Sequence, residues 1–415
     1  MNELVSKKID DFVNNYSINN HVAAIWQTSL VGVASANDEI FKQLKKVVSP
    51  THAGPKDLLP TAQSVLVYFL PFIKEIPKSN RGGEMASVEW ASAYVETNEM
   101  IMALNNFLND LLQEQGYDSK VLPPTHNFDA ESLISDWSHK HVAYIAGLGD
   151  FGYHHQLITQ KGSCGRLGSL ITEAPLKPTL RSSATFCSNR FDESCRVCQQ
   201  RCPMDALQEE EFDRHGCYDL LLKNEALHSA IGRADVCGKC VAVVPCSFLN
   251  PVRKKAQRLV RTQLLIEKAS ETDLADILNL QKLAYQTEAD RYNDPDIPPM
   301  KQTIEEIRKE FADQHFLKAS INDRIIGSVR LACKDGTGFI GKLIVHPDFQ
   351  KLGVGRRLMT EIEILSTEMQ RFELFTGHES TGPLSLYASM GYLECDRKPL
   401  ESHTLVFLEK LIDNK

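Results

Sequence analysis

The residues with the clearest capacity for chemistry are cysteines concentrated in one segment. Eight of the eleven cysteines fall within sixty residues: Cys187, Cys195, Cys198, Cys202, Cys217, Cys237, Cys240 and Cys246. A cubane iron–sulfur cluster is held by four cysteine thiolates. The count therefore predicts two [4Fe-4S] clusters.

The spacing indicates which cysteines belong together. From Cys195 to Pro203 the chain reads C-x2-C-x3-C-P, the latter part of the bacterial ferredoxin run, in which the last cysteine binds the other cluster. A tight C-x2-C loop wraps two corners of one cubane, while the cysteine beyond it faces away. The predicted ligands of the first cluster are Cys187, Cys195, Cys198 and Cys246, and those of the second are Cys202, Cys217, Cys237 and Cys240.

Zinc is the alternative metal, because two sites of four thiolates each would use the same eight residues. The C-x3-C-P element and the interleaved order favour iron–sulfur clusters. Three cysteines lie outside the set. Cys333 and Cys395 are interpreted as small buried hydrophobes, and Cys164, within GSCGR, is left unassigned.

A second segment with chemical capacity begins at Gly341 and reads GKLIVHPDFQKLGVGRRLMTEIEIL. A strand is predicted to end at Val345, and the glycine-rich turn from Gln350 leads directly into a helix. Unpaired backbone N–H groups and the positive end of the helix then converge on one point, which suits an anion. Gly353 and Gly355 would let the backbone approach a pyrophosphate closely.

The pattern V-x-P-x-x-Q-x-x-G-x-G in this segment resembles the acetyl-CoA signature of the GNAT superfamily of N-acetyltransferases, and the stretch LYASMGY from Leu386 is similar to a late helix of that family. The resemblance covers residues 262–415. It implies that Tyr387 protonates the departing thiolate. It also implies that acetyl-CoA is bound by Leu343, Ile344 and Val345 along the pantetheine arm and by Lys351, Leu352, Gly353, Val354, Gly355 and Arg356 around the pyrophosphate.

The acceptor is predicted to be a small-molecule amine. Acceptor sites in this family are built from the first helices and the loop between them, here residues 285–300. The carboxylates of Asp290, Asp294 and Asp296 could attract a cationic amine, but a solvated loop is the favoured interpretation. The sequence names no general base.

Stretches before the cysteines resemble the epoxyqueuosine reductases and their shorter relatives over residues 20–255. They are DLLPTAQSV from Asp57, WSHKHVAYIAGLGDFG from Trp137 and GRLGS from Gly165. The resemblance implies a catalytic domain before a double [4Fe-4S] module, a bound cobalamin, and an electron donor such as ferredoxin or flavodoxin.

This sequence differs from that family at the catalytic acid and in the extension that longer members use near tRNA. His139 and Lys140 stand where the family has a Glu-Arg pair, which leaves Asp136 as the candidate acid. The extension that longer members use near tRNA is replaced by an unrelated segment, which argues against activity on tRNA. Four histidines flank the glycine-rich stretch from Ala146, where a strand and a tight turn are predicted; singly, each is typical of a surface or capped position.

Three regions would have to position these residues, and together they predict an α/β (α+β) protein. Residues 1–180 alternate strand-like runs (22–26, 64–70, 142–146) with helical patterns, notably 87–115, and would form the reductase-like domain. Residues 181–258 would form a ferredoxin-like double-cluster module. Residues 262–415, with helices at 272–285 and 303–311 and strands at 316–321, 325–331 and 339–345, would form a GNAT mixed-sheet domain.

The composition favours a globular protein over a nucleic-acid-binding or membrane-spanning one. The 415 residues are 42% hydrophobic and 24% charged with a net charge of -8, which is typical of a globular protein and gives no overall basic field for nucleic acid. The apolar run from Val65 stops at Pro71 and is too short to span a membrane, so a buried strand is predicted. The first residues predict an amphipathic helix without a secretion signal, and the expected location is cytoplasmic.

These observations predict a protein of two functional parts. One part is an iron–sulfur, cobalamin-linked reductase-like half, and the other is an acetyl-CoA-dependent N-acetyltransferase. In the alternative hypothesis, the first part is a non-catalytic electron-transfer or redox-sensing module that regulates the acetyltransferase.

Overall fold

Contacts divide the chain into two units. The first comprises Met1–Arg181 with Thr185–Val252, and the second comprises Ser182–Ala184 with Arg253–Lys415. The computed structural model describes residues 2–125, 128–208, 211–366, 368–400 and 403–412. The cysteine-rich segment belongs to the first unit, and the division into three domains stays a prediction.

The first unit combines short strands with helices of very different lengths. Its strands are β1 (Leu30–Ser35), β2 (Ser64–Pro71), β3 (Ser119–Val121), β4 (Gly149–Phe151), β5 (Leu157–Thr159) and β6 (Gly165–Thr172). Its helices are α1 (Asn2–Asn19), α2 (Ile40–Val47), α3 (Pro55–Leu58), α4 (Glu75–Ser79), α5 (Val88–Gln113), α6 (His139–Ile145), α7 (Ser188–Asp192), α8 (Val197–Gln200) and α9 (Arg214–Leu227), and α10 (Pro251–Gln263) leads into the second unit.

The main sheet of the first unit is antiparallel, in the order β1-β2-β6-β3. Every residue of β2 is buried. Successive side chains of a strand point to opposite faces, and here Leu66 and Tyr68 pack with α5, while Val65 and Val67 pack with α6. Helices therefore cover both faces of the sheet, which explains why residues 65–70 form an unbroken apolar run and confirms the predicted buried strand.

Two other predicted strands of this unit are wrong. Residues 142–146 lie in and just after α6, because a short apolar run fits a buried helix as well as a strand. Residues 22–26 contain only an isolated bridge between Trp26 and Phe72. The helical predictions are confirmed: α1 buries Val5, Ile9 and Val13, and the Ser87 side chain caps α5.

The second unit contains one large sheet with helices. Its strands are β7 (Leu265–Lys268), β8 (His315–Ile321), β9 (Arg324–Lys334), β10 (Thr337–Val345), β11 (Arg371–Gly377), β12 (Leu393–Pro399) and β13 (Thr404–Leu411). Its helices are α11 (Leu274–Tyr292), α12 (Pro298–Lys301), α13 (Ile304–Asp313), α14 (Val354–Ile364) and α15 (Thr381–Ala388), with 3-10 turns at Glu271–Asp273 and Pro347–Phe349. Across the described ranges, no helix has the length and apolar character needed to cross a membrane.

The sheet of the second unit is mixed, in the order β12-β13-β11-β10-β9-β8-β7. Neighbouring strands are antiparallel except β10 and β11, which are parallel. The predicted mixed α/β class and the predicted helices and strands of this region are confirmed. The ferredoxin-like module stays a prediction.

Candidate functional site

Strands β10 and β11 separate soon after they begin. Their pairing joins Thr337, Gly338 and Phe339 to the start of β11, and in the described register it goes no further. On its other edge β10 continues along β9 to Val345, with a register shift between Gly341 and Ile344. The second half of β10, which holds Leu343, Ile344 and Val345, therefore faces a gap in the sheet where an extended ligand could pair with the backbone.

The turn after β10 presents the start of a helix to the same region. Helix α14 begins at Val354, and its first intrahelical bond runs from the Arg357 N–H to the Gly353 carbonyl, 3.1 Å apart. The preceding N–H groups of the first turn have no acceptor within the helix, and the helix dipole adds positive potential at this end. A helix start of this kind suits an anion, and the binding role of the residues from Lys351 to Arg356 stays a prediction.

Gly353 is required by the shape of this turn. Its φ is +90°, a left-handed conformation that costs other residues free energy, and the space where a Cβ would stand is open. Lys351 also has a positive φ, +57°. The Gln350 side chain donates to the Val345 carbonyl at 3.1 Å, which fixes the turn to the end of β10. Consecutive N–H groups in such a concave turn can surround an anion.

The predicted acid, Tyr387, lies on α15 beside this turn. A Cβ placed on Gly355 would stand 3.5 Å from the Leu386 side chain, and the Arg356 guanidinium donates to the Ser389 hydroxyl. The start of α14 and the helix that carries Tyr387 are therefore adjacent. Tyr387 is 7% exposed, and burial raises its pKa well above the usual 10. The phenol consequently holds its proton at neutral pH.

Sequence reasoning missed Glu288, a carboxylate of α11 near Tyr387. Its negative charge, together with the Tyr285 phenol, adds to the effect of burial in raising the pKa of Tyr387. Glu288 accepts hydrogen bonds from the Ser380 hydroxyl and the Arg291 guanidinium. No local motif marks this carboxylate, because its neighbours come together only in the folded sheet.

The acidic residues predicted near the acceptor bond within their own segment. Asp290 accepts from the Gln286 side-chain amide at 2.9 Å, Asp294 accepts from the Asp296 N–H at 3.0 Å, and Asp296 forms an ion pair with Lys301. The contact of Asp290 lies within α11, and Asp294 and Asp296 lie in the loop that follows.

The first group of cysteines lies together in the first unit. Cys187, Cys195, Cys198 and Cys246 line one small cavity. Burial, followed by the three neighbouring thiols, raises the pKa of Cys246 to about 12. The Tyr153 N–H donates to the Cys187 sulfur at 3.4 Å. These four residues are the ones that the spacing assigns to the first cluster.

The second group of cysteines is also gathered. Burial, followed by the thiols of Cys237 and Cys202, raises the pKa of Cys217 to about 12. Burial and the thiols of Cys237, Cys217, Cys198 and Cys202, in decreasing order, raise the pKa of Cys240. The thiols of the predicted second set therefore influence one another electrostatically. In the part of the chain that the structure describes, no group of three or more His, Cys, Asp or Glu side chains could hold a metal ion. The iron–sulfur clusters and the cobalamin stay predictions.

His154, one of the histidines interpreted as a surface or capped residue, is buried against the first cysteine group. Its Nδ1 accepts the Gln156 N–H at 3.1 Å, so its Nε2 carries the proton and donates to the Cys246 sulfur at 3.3 Å. Burial first, and then nearby positive groups, lower the pKa of His154 to about 4. A Cβ on Gly152 would stand 2.5 Å from this ring, so glycine is needed there.

Three other residues singled out in the first unit, His139, Asp136 and Lys140, are hydrogen-bonded to other residues of that unit. His139 is hydrogen-bonded to Ser169 and to the Pro123 carbonyl, and burial lowers its pKa to about 4. The candidate acid Asp136 accepts from the Thr51 hydroxyl. Lys140 donates to the His155 carbonyl at 3.0 Å.

The burial of the three cysteines outside the two groups differs from the prediction. Cys164 is buried and donates its thiol hydrogen to the Val241 carbonyl at 3.1 Å. Cys333 and Cys395 are exposed, so their interpretation as buried hydrophobes is wrong. Cys333 lies in the exposed end of β9, and Cys395 lies in β12, which is exposed along its whole length.

The second unit also carries the resemblance to known proteins. The family model described as an acetyltransferase (GNAT) domain matches residues 312–394. Solved structures that resemble this chain include the PaiA N-acetyltransferase of Thermoplasma acidophilum in complex with coenzyme A, with 18% identity over 36% of this chain and 100% of that one and a TM-score of 0.33. Another is an acetyltransferase of the GNAT family from Streptococcus pneumoniae, with 21% identity, 36% and 99% coverage and a TM-score of 0.31.

A curated relative is the UPF0157 protein YqkA of Bacillus subtilis strain 168, which is 24% identical over 131 residues, or 32% of this chain. This chain spans about 38% of the length of that relative. The strand order, the gap beside β10 and the turn into α14 lie in or beside the segment that the family model matches. Residues 312–394 are therefore the part of this chain that matches the GNAT acetyltransferase domain.

Proposed function

We propose that this chain is an N-acetyltransferase that moves an acetyl group from acetyl-CoA to a small-molecule amine. The observation that carries the proposal is the gap between β10 and β11, which faces the first turn of α14 with Tyr387 beside it. The gap suits an extended thioester arm, and the helix end suits the pyrophosphate.

The residues predicted from the signature take distinct roles in this proposal. The open edge of β10 at Leu343, Ile344 and Val345 pairs with the amide groups of the pantetheine arm. The turn from Lys351 to Arg356 binds the pyrophosphate through backbone N–H groups, and the Arg356 side chain adds positive charge. This pairing places the thioester near Tyr387.

The reaction is a direct transfer. The amine nitrogen attacks the acetyl carbonyl carbon, the bond from that carbon to sulfur breaks, and the sulfur takes the proton of the Tyr387 hydroxyl. The new N–C bond leaves an extra proton on nitrogen. Glu288 is the proposed acceptor of that proton, because its carboxylate accepts a hydrogen bond from Ser380, directly before the helix that carries Tyr387. Amide and free coenzyme A are the products.

The experiment is acetyl transfer by the full chain to a panel of amines, detected by mass spectrometry as acetylated product. The panel should include polyamines, amino acids and peptides with a free N-terminus. An acetylated product that depends on both enzyme and acetyl-CoA supports the proposal, whereas turnover with none of these classes opposes it.

A second function is proposed for the first unit: electron transfer or redox sensing through two [4Fe-4S] clusters. The observation that favours it is the cavity lined by Cys187, Cys195, Cys198 and Cys246, together with N–H donors aimed at the sulfurs of Cys187, Cys202 and Cys246. Such donors stabilise the negative charge of cluster thiolates. When bound, the clusters would accept and donate single electrons.

Replacing Cys198 by serine should remove about half of the iron. Protein purified anaerobically should hold about eight iron atoms per chain with equal acid-labile sulfide, and Cys198→Ser should hold about four. Cys333→Ser is the matched control, because Cys333 is exposed and outside both groups. Zinc without iron in the wild-type protein would contradict the cluster proposal. Cobalt at about one per chain in the same analysis would extend it to a corrinoid reductase.

A further inference from the structure

An arginine outside the matched family segment holds the turn that precedes α14. Arg253 lies in the first turn of α10 and belongs to the second unit. Its Nη1 donates to the Gln350 carbonyl at 2.6 Å, and its Nη2 donates to the Lys351 carbonyl at 3.1 Å. One guanidinium thus spans two consecutive peptide groups, which its planar fork suits.

These two bonds determine where the neighbouring N–H groups point. The chain has no cis peptide among its described residues, and in a trans peptide the carbonyl and the following N–H point in opposite directions. Since the carbonyls of Gln350 and Lys351 face Arg253, the N–H groups of Lys351 and Leu352 face away from it. They extend the set of donors that the first turn of α14 presents.

The turn is therefore held on two sides. Arg253 bonds its carbonyls, and the Gln350 side chain bonds the Val345 carbonyl at the end of β10. The positive φ of Lys351 requires such support, because this left-handed conformation is unfavourable for a residue other than glycine. An unsupported turn would sample other conformations, and ligand binding would have to restore this one.

We infer that Arg253 is a positioning residue for the pyrophosphate of coenzyme A: it orders the donors of the turn without itself contacting the ligand. This inference rests on the proposed acetyltransferase function. It extends the site beyond residues 312–394 to α10, which begins five residues after Cys246 in the sequence. The affinity of the transferase for acetyl-CoA thereby depends on the helix that directly follows the cysteine segment.

The test is isothermal titration of the full chain with coenzyme A. Arg253→Met should raise the Kd about fivefold, a modest effect because the two hydrogen bonds are exposed. The Kd of Arg253→Lys should lie between those of the wild-type protein and Arg253→Met, because lysine offers a point charge instead of a planar fork of donors. Arg258→Met is the matched control: it removes an exposed arginine from the same helix and should leave the Kd within about twofold.

Pantetheine, which lacks the pyrophosphate, separates ordering of the turn from damage to the whole site. Its weaker binding, followed by ligand-observed NMR, should be the same for the wild-type protein and for Arg253→Met. An equal loss of coenzyme A and pantetheine affinity, or a Kd for Arg253→Met equal to that of Arg258→Met, would overturn the inference. Failure of the wild-type chain to bind coenzyme A would instead overturn the proposed function, and the inference with it.

Discussion

Replacing Tyr387 by phenylalanine should lower kcat for acetyl transfer by about a hundredfold and leave the Kd for acetyl-CoA within about twofold. A positioned general acid contributes roughly 10²–10⁴-fold to such a reaction. The ring of Tyr387 is buried in α15, and phenylalanine keeps that packing while removing the proton that the departing thiolate needs. Steady-state kinetics at saturating amine measures the loss.

Tyr392→Phe is the matched control for this prediction. Tyr392 lies beside Tyr387, with ring centroids 6.1 Å apart, but its hydroxyl bonds Glu363 on α14. The variant should lose some stability from the broken hydrogen bond and retain kcat. If Tyr387→Phe retained kcat as well, Tyr387 would not be the acid.

The pH profile adds a check on the same residue. Burial, then the charges of Tyr285 and Glu288, raise the pKa of Tyr387 above its usual value of 10.0. The required form is the protonated phenol, which is present below that pKa and lost above it. Deprotonation of Tyr387 should therefore lower kcat only above pH 10. The assignment would be contradicted if kcat of the wild-type protein declined around a lower pH and this decline were absent in Tyr387→Phe.

Replacing Gly353 by valine should raise the Kd for acetyl-CoA about thirtyfold. A β-branched residue at φ +90° conflicts with its own backbone, at a cost of about 2 kcal/mol. The free protein escapes this cost by letting the turn adopt another conformation. Acetyl-CoA must restore the original turn to obtain its N–H donors, so the cost appears in the Kd measured by titration calorimetry.

Gly336→Val separates this effect from general backbone damage. Gly336 has φ +74° in the turn between β9 and β10, away from the proposed pyrophosphate site, and an added Cβ would contact only the Gln370 side chain at 3.4 Å. Both variants place valine in a left-handed conformation. Only Gly353→Val should weaken acetyl-CoA binding; equal losses in the two variants would remove Gly353 from the site.

Sequence reasoning succeeded where the signal is local. The burial of β2 follows from an unbroken apolar run, and the turn into α14 follows from glycines at fixed spacing. The assignment of the eight cysteines to two clusters, which rests on the C-x3-C-P element, stays a prediction. Residues 142–146 were misassigned because a short apolar run has no periodicity that separates a strand from a helix.

The contacts that complete the site could not be predicted in this way. Arg253 and Lys351 are 98 positions apart, and Glu288 and Ser380 are 92 positions apart. Each pair meets only through the order of the strands in the sheet. Hydrogen bonds of this kind leave no pattern of spacing or hydrophobicity in a single sequence, so Arg253 and Glu288 became visible only in the folded chain.

The most direct test of the acetyltransferase is the melting temperature of the full chain with and without acetyl-CoA. A ligand that binds only the folded state at about 100 times its Kd adds about 2.7 kcal/mol of stability, which corresponds to a rise of roughly 5–10 °C. We expect such a rise in the transition of the second unit, and we expect it to increase with acetyl-CoA concentration. An unchanged melting temperature up to millimolar acetyl-CoA would contradict it.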